Sequence, residues 1–207
     1  MKMKYNIYFL FLIALSCQIH NQAEVTYISS SLVQKNGQKK SPNYSFIHLK
    51  NDSVFFRDLY KPETLTFMGE IPKKKSEFLL DGLTFKFTEN ILEISNSNVK
   101  SIYRILDKEN NKIKIDKFYF KNKKFVLKSK FNNDTIFFST ANSYRNMTSN
   151  SSDRWSFVDI DGYKVLWLNL GYDEVPLIIE SFDNKEITAN LYGLKKNKVI
   201  LKELFSN

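Results

Sequence analysis

The sequence predicts an all-β protein, an antiparallel sandwich or barrel built from two weakly related halves, and three observations predict it. From Glu24 onward, short apolar runs rich in Phe, Tyr, Ile, Val and Thr alternate with Asn, Asp, Gly and Lys, the punctuation of strands and turns. No long window keeps the three-and-four spacing of an amphipathic helix, Val99 to Leu106 coming nearest. One stretch of chain also matches another 111 residues later. A chain of 207 residues that is 43% apolar and 26% charged can bury a real core, which excludes a disordered tail protein. A single Cys and two His exclude an intramolecular disulfide framework and most zinc and cysteine-nucleophile chemistry.

Residues 1–16 read as an export signal. Lys2 and Lys4 give a basic start, and Ile7 to Leu15 is an unbroken apolar run, too short for the roughly 20 residues of a membrane-spanning helix. At its end, Ala14-Leu15-Ser16-Cys17 resembles the lipobox of bacterial lipoproteins, although that box prefers Leu three residues before the Cys and a small residue two before it, the reverse of Ala14 and Leu15. The resemblance covers the leader alone. It implies that Cys17 becomes the acylated first residue of the mature chain and anchors it in the bacterial cell envelope, at the outer membrane or the periplasmic face. Each buried CH₂ of an acyl chain adds about 0.8 kcal/mol of membrane affinity, so several chains make the anchor effectively permanent. Residues 17–23 are the acylated Cys and a polar tether that includes His20. Loss of Lys2 and Lys4 lowers the formal charge from +9 to +7, so the exported body stays basic.

Residues 24–96 are expected to form one β unit, residues 97–134 a basic connecting meander, and residues 135–207 a second β unit. Tyr44-Ser45-Phe46-Ile47-His48-Leu49 lies over Trp155-Ser156-Phe157-Val158-Asp159-Ile160, and Val54-Phe55-Phe56 over Val165-Leu166-Trp167 without a gap. Asn51 then falls on Gly162. Asp81-Gly82 and Asp161-Gly162 predict two-residue hairpins, because a type I′ turn needs positive φ at both central positions. Asn132-Asn133-Asp134 and Lys121-Asn122-Lys123-Lys124 predict further turns. Pro42, Pro62, Pro72 and Pro176 are placed at or near strand ends, where a missing N–H matters least. Tyr163, Val165 and Trp167 face one way and Lys164, Leu166, Leu168 and Leu170 the other, so this strand is expected to be central and mostly covered.

The strongest charge feature is Lys112, Lys114, Lys117, Lys121, Lys123, Lys124, Lys128 and Lys130, with Asp116 the only acid among them. Such a cluster suits anionic headgroups, a polyanionic envelope polymer or an acidic protein partner, and equally suits protection of exposed strands from edge-to-edge aggregation. Lys121, Lys123 and Lys124 are its predicted binding residues. Lys117-Phe118-Tyr119-Phe120-Lys121 interleaves rings and charges as single-stranded nucleic-acid platforms do, but export sets nucleic acid aside as a partner. An aromatic-lined interior holding an apolar ligand, similar to the lipocalin-like class, is the alternative use of these rings.

His48 reads as a strand-face histidine making ordinary hydrogen bonds, since no spacing nominates a nucleophile and acid to accompany it. Asp159, Asp161 and Asp173-Glu174 offer carboxylates for calcium or for glycosidic acid and base work, yet the full calcium loop is absent and carboxylates are common in turns. Asn51-Asp52-Ser53-Val54 and Asn133-Asp134-Thr135-Ile136 resemble acceptor sites for protein O-glycosylation in some bacteria, and are also good turn sequence. No phosphate-binding Gly-rich loop, nucleophile elbow or paired-His motif occurs. The expected function is that of a non-enzymatic envelope interaction module, without a cofactor.

Overall fold

The computed structural model describes residues 24–40, 44–57, 64–72, 75–106, 113–130, 133–139, 142–170, 173–192 and 196–204. The signal segment, Cys17 and the tether, with Pro42, Pro62 and Asn132, lie outside the described residues. The fold is all-β, as expected, and it is built as two antiparallel sheets of successive strands.

The first sheet comprises β1 (Val25–Gln34), β2 (Lys39–Lys40), β3 (Phe46–Lys50), β4 (Ser53–Arg57), β5 (Leu65–Glu70), β6 (Glu77–Leu80), β7 (Leu83–Thr88), β8 (Ile91–Ser95) and β9 (Val99–Ile105). Its order is β5-β4-β3-β1-β9-β8-β7-β6, with the short β2 on β1. The chain therefore winds round until β9 returns to lie beside β1, Ser29 opposite Tyr103 and Val33 opposite Lys100. The two edge strands approach one another where a Cβ on Gly69 of β5 would stand 2.4 Å from Leu80 Cδ1 of β6. The sheet thus curls almost into a barrel around Tyr27, Ile47, Leu49, Val54, Phe78, Phe85, Leu92 and Tyr103.

The second sheet is a closed barrel of β10 (Lys123–Ser129), β11 (Asn133–Phe138), β12 (Ser143–Asn146), β13 (Ser151–Ile160), β14 (Tyr163–Leu170), β15 (Asp173–Asp183), β16 (Glu186–Leu191) and β17 (Asn197–Leu204). Closure is made by β17 on β10, with Phe125 opposite Glu203 and Leu127 opposite Leu201. Period-two alternation sends Phe125, Ile136, Phe138, Trp155, Leu166, Leu168, Leu177 and Leu201 inward. One helical turn, α1 (Lys117–Phe120), sits across the end at which β10 begins. Asp116 caps it by accepting from the N–H groups of Phe118 and Tyr119. Phe120 is fully buried there, its ring 5.3 Å from that of Phe138, 5.6 Å from Phe125 and 5.7 Å from Trp155.

The predicted hairpin turns form as expected. Asp81 and Gly82 have φ of +49° and +76°, and Asp161 and Gly162 have +53° and +88°. Asn51 and Asp52 build a third such turn at +49° and +58°. Four details differ from expectation. Residues 117–120, read from the sequence as part of a β meander, are helical, because a capping Asp and an inward Phe120 outweigh aromatic strand propensity. Only Lys121 and Asn122 form the turn before β10, which Lys123 and Lys124 begin. Asn133 and Asp134 belong to β11 rather than to a turn. Pro176 stands inside β15, opposite Trp167; its missing N–H is tolerated because the ladder to β16 begins only at Leu177.

The halves also divide elsewhere than at 24–96, 97–134 and 135–207. The segment expected to be a separate meander is shared out: β9 completes the first sheet, and β10 and β11 open the barrel. Each half is an up-and-down winding whose first and last strands pair, β1 with β9 and β10 with β17. The hairpins β3–β4 and β13–β14, which match in sequence, occupy different places in their windings.

Those hairpins meet instead. Ile28, Phe46 and Leu106 of the first half pack against Ile160, Val165, Trp167, Ile178 and Tyr192 of the second. Phe46 stands edge-on to Trp167 at 5.9 Å, and the Tyr163 hydroxyl donates to the Leu106 carbonyl at 2.7 Å. β14 is accordingly buried on both faces from Val165 to Leu168, as the sequence predicts.

Candidate functional site

Two polar arrangements stand out, one between the halves and one on the outer wall of the barrel. The first begins with the β13–β14 turn. Gly162 donates its N–H to Asp159 Oδ1 at 2.9 Å, and Lys164 pairs with the same side chain, so Asp159 serves its own hairpin. Asp161 points into the other half. Its Oδ1 accepts from Arg57 Nη2 at 2.9 Å, and its Oδ2 accepts from the Thr26 hydroxyl at 3.0 Å. His48 Nδ1 lies 3.0 Å from Asp161 Oδ2 and 3.0 Å from Thr26 Oγ1. With the Thr26 proton given to Asp161, both oxygens act as acceptors toward Nδ1, which therefore carries a proton.

Strand phase explains why these residues converge. Thr26 stands opposite His48, and His48 opposite Phe55, so β1, β3 and β4 turn the same face toward the barrel. Arg57, two residues beyond Phe55, shares that face. Burial pushes the Asp161 carboxyl up, but the His48 bond and charge, the Arg57 charge and the Thr26 bond outweigh it and hold it below the usual carboxylate range. The arrangement keeps His48, Asp161 and Arg57 tied to one another, with His48 only 3% exposed. Its evident chemistry is that of a polar clasp between the halves. The His48 reading from sequence holds as to hydrogen bonding, but its partners Thr26 and Asp161 lie on other strands, Asp161 in the other half, and had no signal in the spacing.

The second arrangement contains the sequence-predicted lysines. Lys121 follows α1 and is exposed; Lys124, the second residue of β10, is exposed. Lys123 turns the other way, donating to Glu203 Oε2 at 3.1 Å and standing 3.7 Å over the Tyr119 ring. The same Glu203 oxygen accepts from the Tyr119 hydroxyl at 2.6 Å. Burial raises the Tyr119 phenol, and its bond to the Glu203 carboxylate raises it further. Burial would raise Glu203 as well, but bonds from Tyr119 and Lys123 and the charges of Lys123 and Lys185 bring it below its ordinary value.

Barrel closure enlarges the basic surface beyond the sequence cluster. Phe125 and Leu127 face inward, so Lys124, Val126 and Lys128 face out. On β17, Val199 and Leu201 face inward, so Lys198, Ile200, Lys202 and Leu204 face out. The register places Lys124 opposite Leu204, Val126 opposite Lys202 and Lys128 opposite Ile200. The result is a checkerboard of lysines and aliphatic side chains. Glu186 of β16, opposite Lys202, is the acid beside it. The alternation of Lys198 and Lys202 with Val199 and Leu201 was visible in the sequence, but the pairing of β17 with β10 was not.

The remaining candidates are placed as follows. Asn51 and Asp52 are an exposed turn, and Thr135 lies in β11, where its N–H donates to Thr148 Oγ1 at 3.1 Å. The side chains of Asp173 and Glu174 lie outside the described ones. Among the described residues no group of three His, Cys, Asp or Glu side chains is placed to hold a metal ion. Compared with known proteins, the chain matches no family model, no curated protein and no solved structure.

Proposed function

We propose that the chain is an exported, Cys17-anchored envelope protein that acts by binding rather than by catalysis, docking an anionic envelope component on the outer wall formed by β10 and β17. The observation that carries this reading is the gathering of Lys124, Lys128, Lys198 and Lys202, from segments about seventy residues apart, onto one face by barrel closure. Lys121 extends that face toward the end occupied by α1. Clustered lysines raise the local concentration of an anionic partner and are screened by salt over a Debye length of about 10 Å at 0.1 M.

Binding to a soluble anionic polymer such as dextran sulfate, followed by fluorescence anisotropy at rising salt, tests the proposal. Affinity should fall steadily with salt. Combined Lys121→Glu, Lys124→Glu, Lys128→Glu and Lys202→Glu should lower it by about tenfold or more, with thermal unfolding unchanged because these side chains are exposed. Equal affinity of the variant and the wild type would reject this face. A lipocalin-like carrier is the second reading, favoured by the closed eight-stranded barrel. It would require its ligand to share the interior with Phe120, Phe138 and Trp155, all of which are buried there.

A further inference from the structure

Resting on the proposed docking face, we propose further that its anionic partner is a lipid surface, and that the end of the barrel carrying α1 enters the headgroup region with Phe118 leading. Lysines alone would suit a polymer. What favours a bilayer is the apolar component interleaved with them. Phe118 is 67% exposed, unusual for a phenylalanine, and the Lys117 ammonium stands 5.4 Å from its ring centroid. Leu204 is exposed at the same end, since it lies opposite Lys124, and Tyr119 holds α1 to the adjacent Glu203.

This apolar tip is rigid rather than a loose loop. The Asp116 cap fixes the start of α1, and Phe120, two residues beyond Phe118, is fully buried in the barrel. A held ring surrounded by long flexible lysines matches an interface in which rings and aliphatic groups sit among the acyl-chain ends while ammonium groups reach up to phosphates. The lysine stems along β10 and β17 would pack over Val126 and Ile200 in the same way. A soluble polyanion offers nothing to Phe118 or Leu204.

The test is Phe118→Trp in the full chain reconstituted in vesicles, read by quenching from lipids with brominated acyl chains. Trp155 and Trp167 are 3% and 5% exposed, so they supply a shielded background. In vesicles containing phosphatidylglycerol, residue 118 should show a blue-shifted, strongly quenched emission. Quenching should fall at least severalfold in phosphatidylcholine vesicles, at high salt, and when Lys121→Glu and Lys124→Glu are added. If the new emission stays solvent-like and unquenched on anionic vesicles while the chain still binds the soluble polymer, the lipid inference is overturned and the docking reading stands. Absence of both quenching and polymer binding overturns both. Quenching that is equal in anionic and neutral vesicles overturns the role assigned to the lysines.

Discussion

Asp161 draws a bond from each of three side chains of the other half, and Arg57 and His48 have been taken out of water to make those bonds. Replacing the carboxylate removes the negative charge 2.9 Å from the buried Arg57 guanidinium, which is the costly way to break such a pair. Asp161→Asn should therefore lower the unfolding free energy by about 3 kcal/mol at neutral pH, measured from urea midpoints. The pH dependence follows from the depressed carboxyl. Its folded pKa lies below the unfolded one, so the stabilisation is fully present above about pH 4 and is lost as pH falls through the folded value. The gap between wild type and variant should consequently narrow in acid; a gap that stayed constant to pH 2 would contradict this account of the clasp. At this scale the sequence disclosed that His48 sits on a strand face making hydrogen bonds, because alternation and residue type suffice for that. It concealed Arg57 and Thr26, because 104 and 135 residues separate them from Asp161 and only tertiary packing joins them.

Among elements, β5 and β6 show how the first sheet comes close to closing. Gly69 has φ of +156°, and the space where a Cβ would sit is taken by Leu80. Any side chain there must push the edges apart or displace Leu80 from the core it shares with Met68. Gly69→Ala should destabilise by about 1–3 kcal/mol, and Leu80→Ala in the same chain should recover the part due to the clash, leaving the part due to backbone strain. Additive losses in the double variant, read by chemical unfolding, would show that the two strands do not touch. The turns were legible because Asp-Gly and Asn-Asp accept positive φ and each is flanked by apolar alternation. The helical turn α1 was not legible. Its rings have high strand propensity, and the insertion of Phe120 into the barrel end, which decides its conformation, is a non-local contact. Pro176 misled in a similar way, since the point at which β16 stops pairing cannot be read from β15.

For the whole molecule, two successive windings of strands stand back to back, joined by the apolar contact of Phe46 with Trp167 and by the Asp161 clasp. The all-β class was legible from turn spacing, and two halves are present as expected, although the match at a spacing of 111 residues sets the two hairpin turns, at Asn51-Asp52 and Asp161-Gly162, one residue out of step. The division between the halves was not legible, because the matching hairpins are the pair that pack together and do not hold equivalent places in their windings. The basic face was half legible: Lys121 and Lys124 came from the sequence cluster, while Lys198 and Lys202 joined it only through closure of β10 on β17. The proposed envelope role rests on acylation of Cys17, so that acyl group is the central claim. Metabolic labelling with radioactive palmitate, with N-terminal mass analysis of the product, tests it most directly. The account predicts a labelled chain beginning at a modified Cys17, and no label in Cys17→Ala. An unlabelled wild-type chain that still begins at Met1 would contradict it.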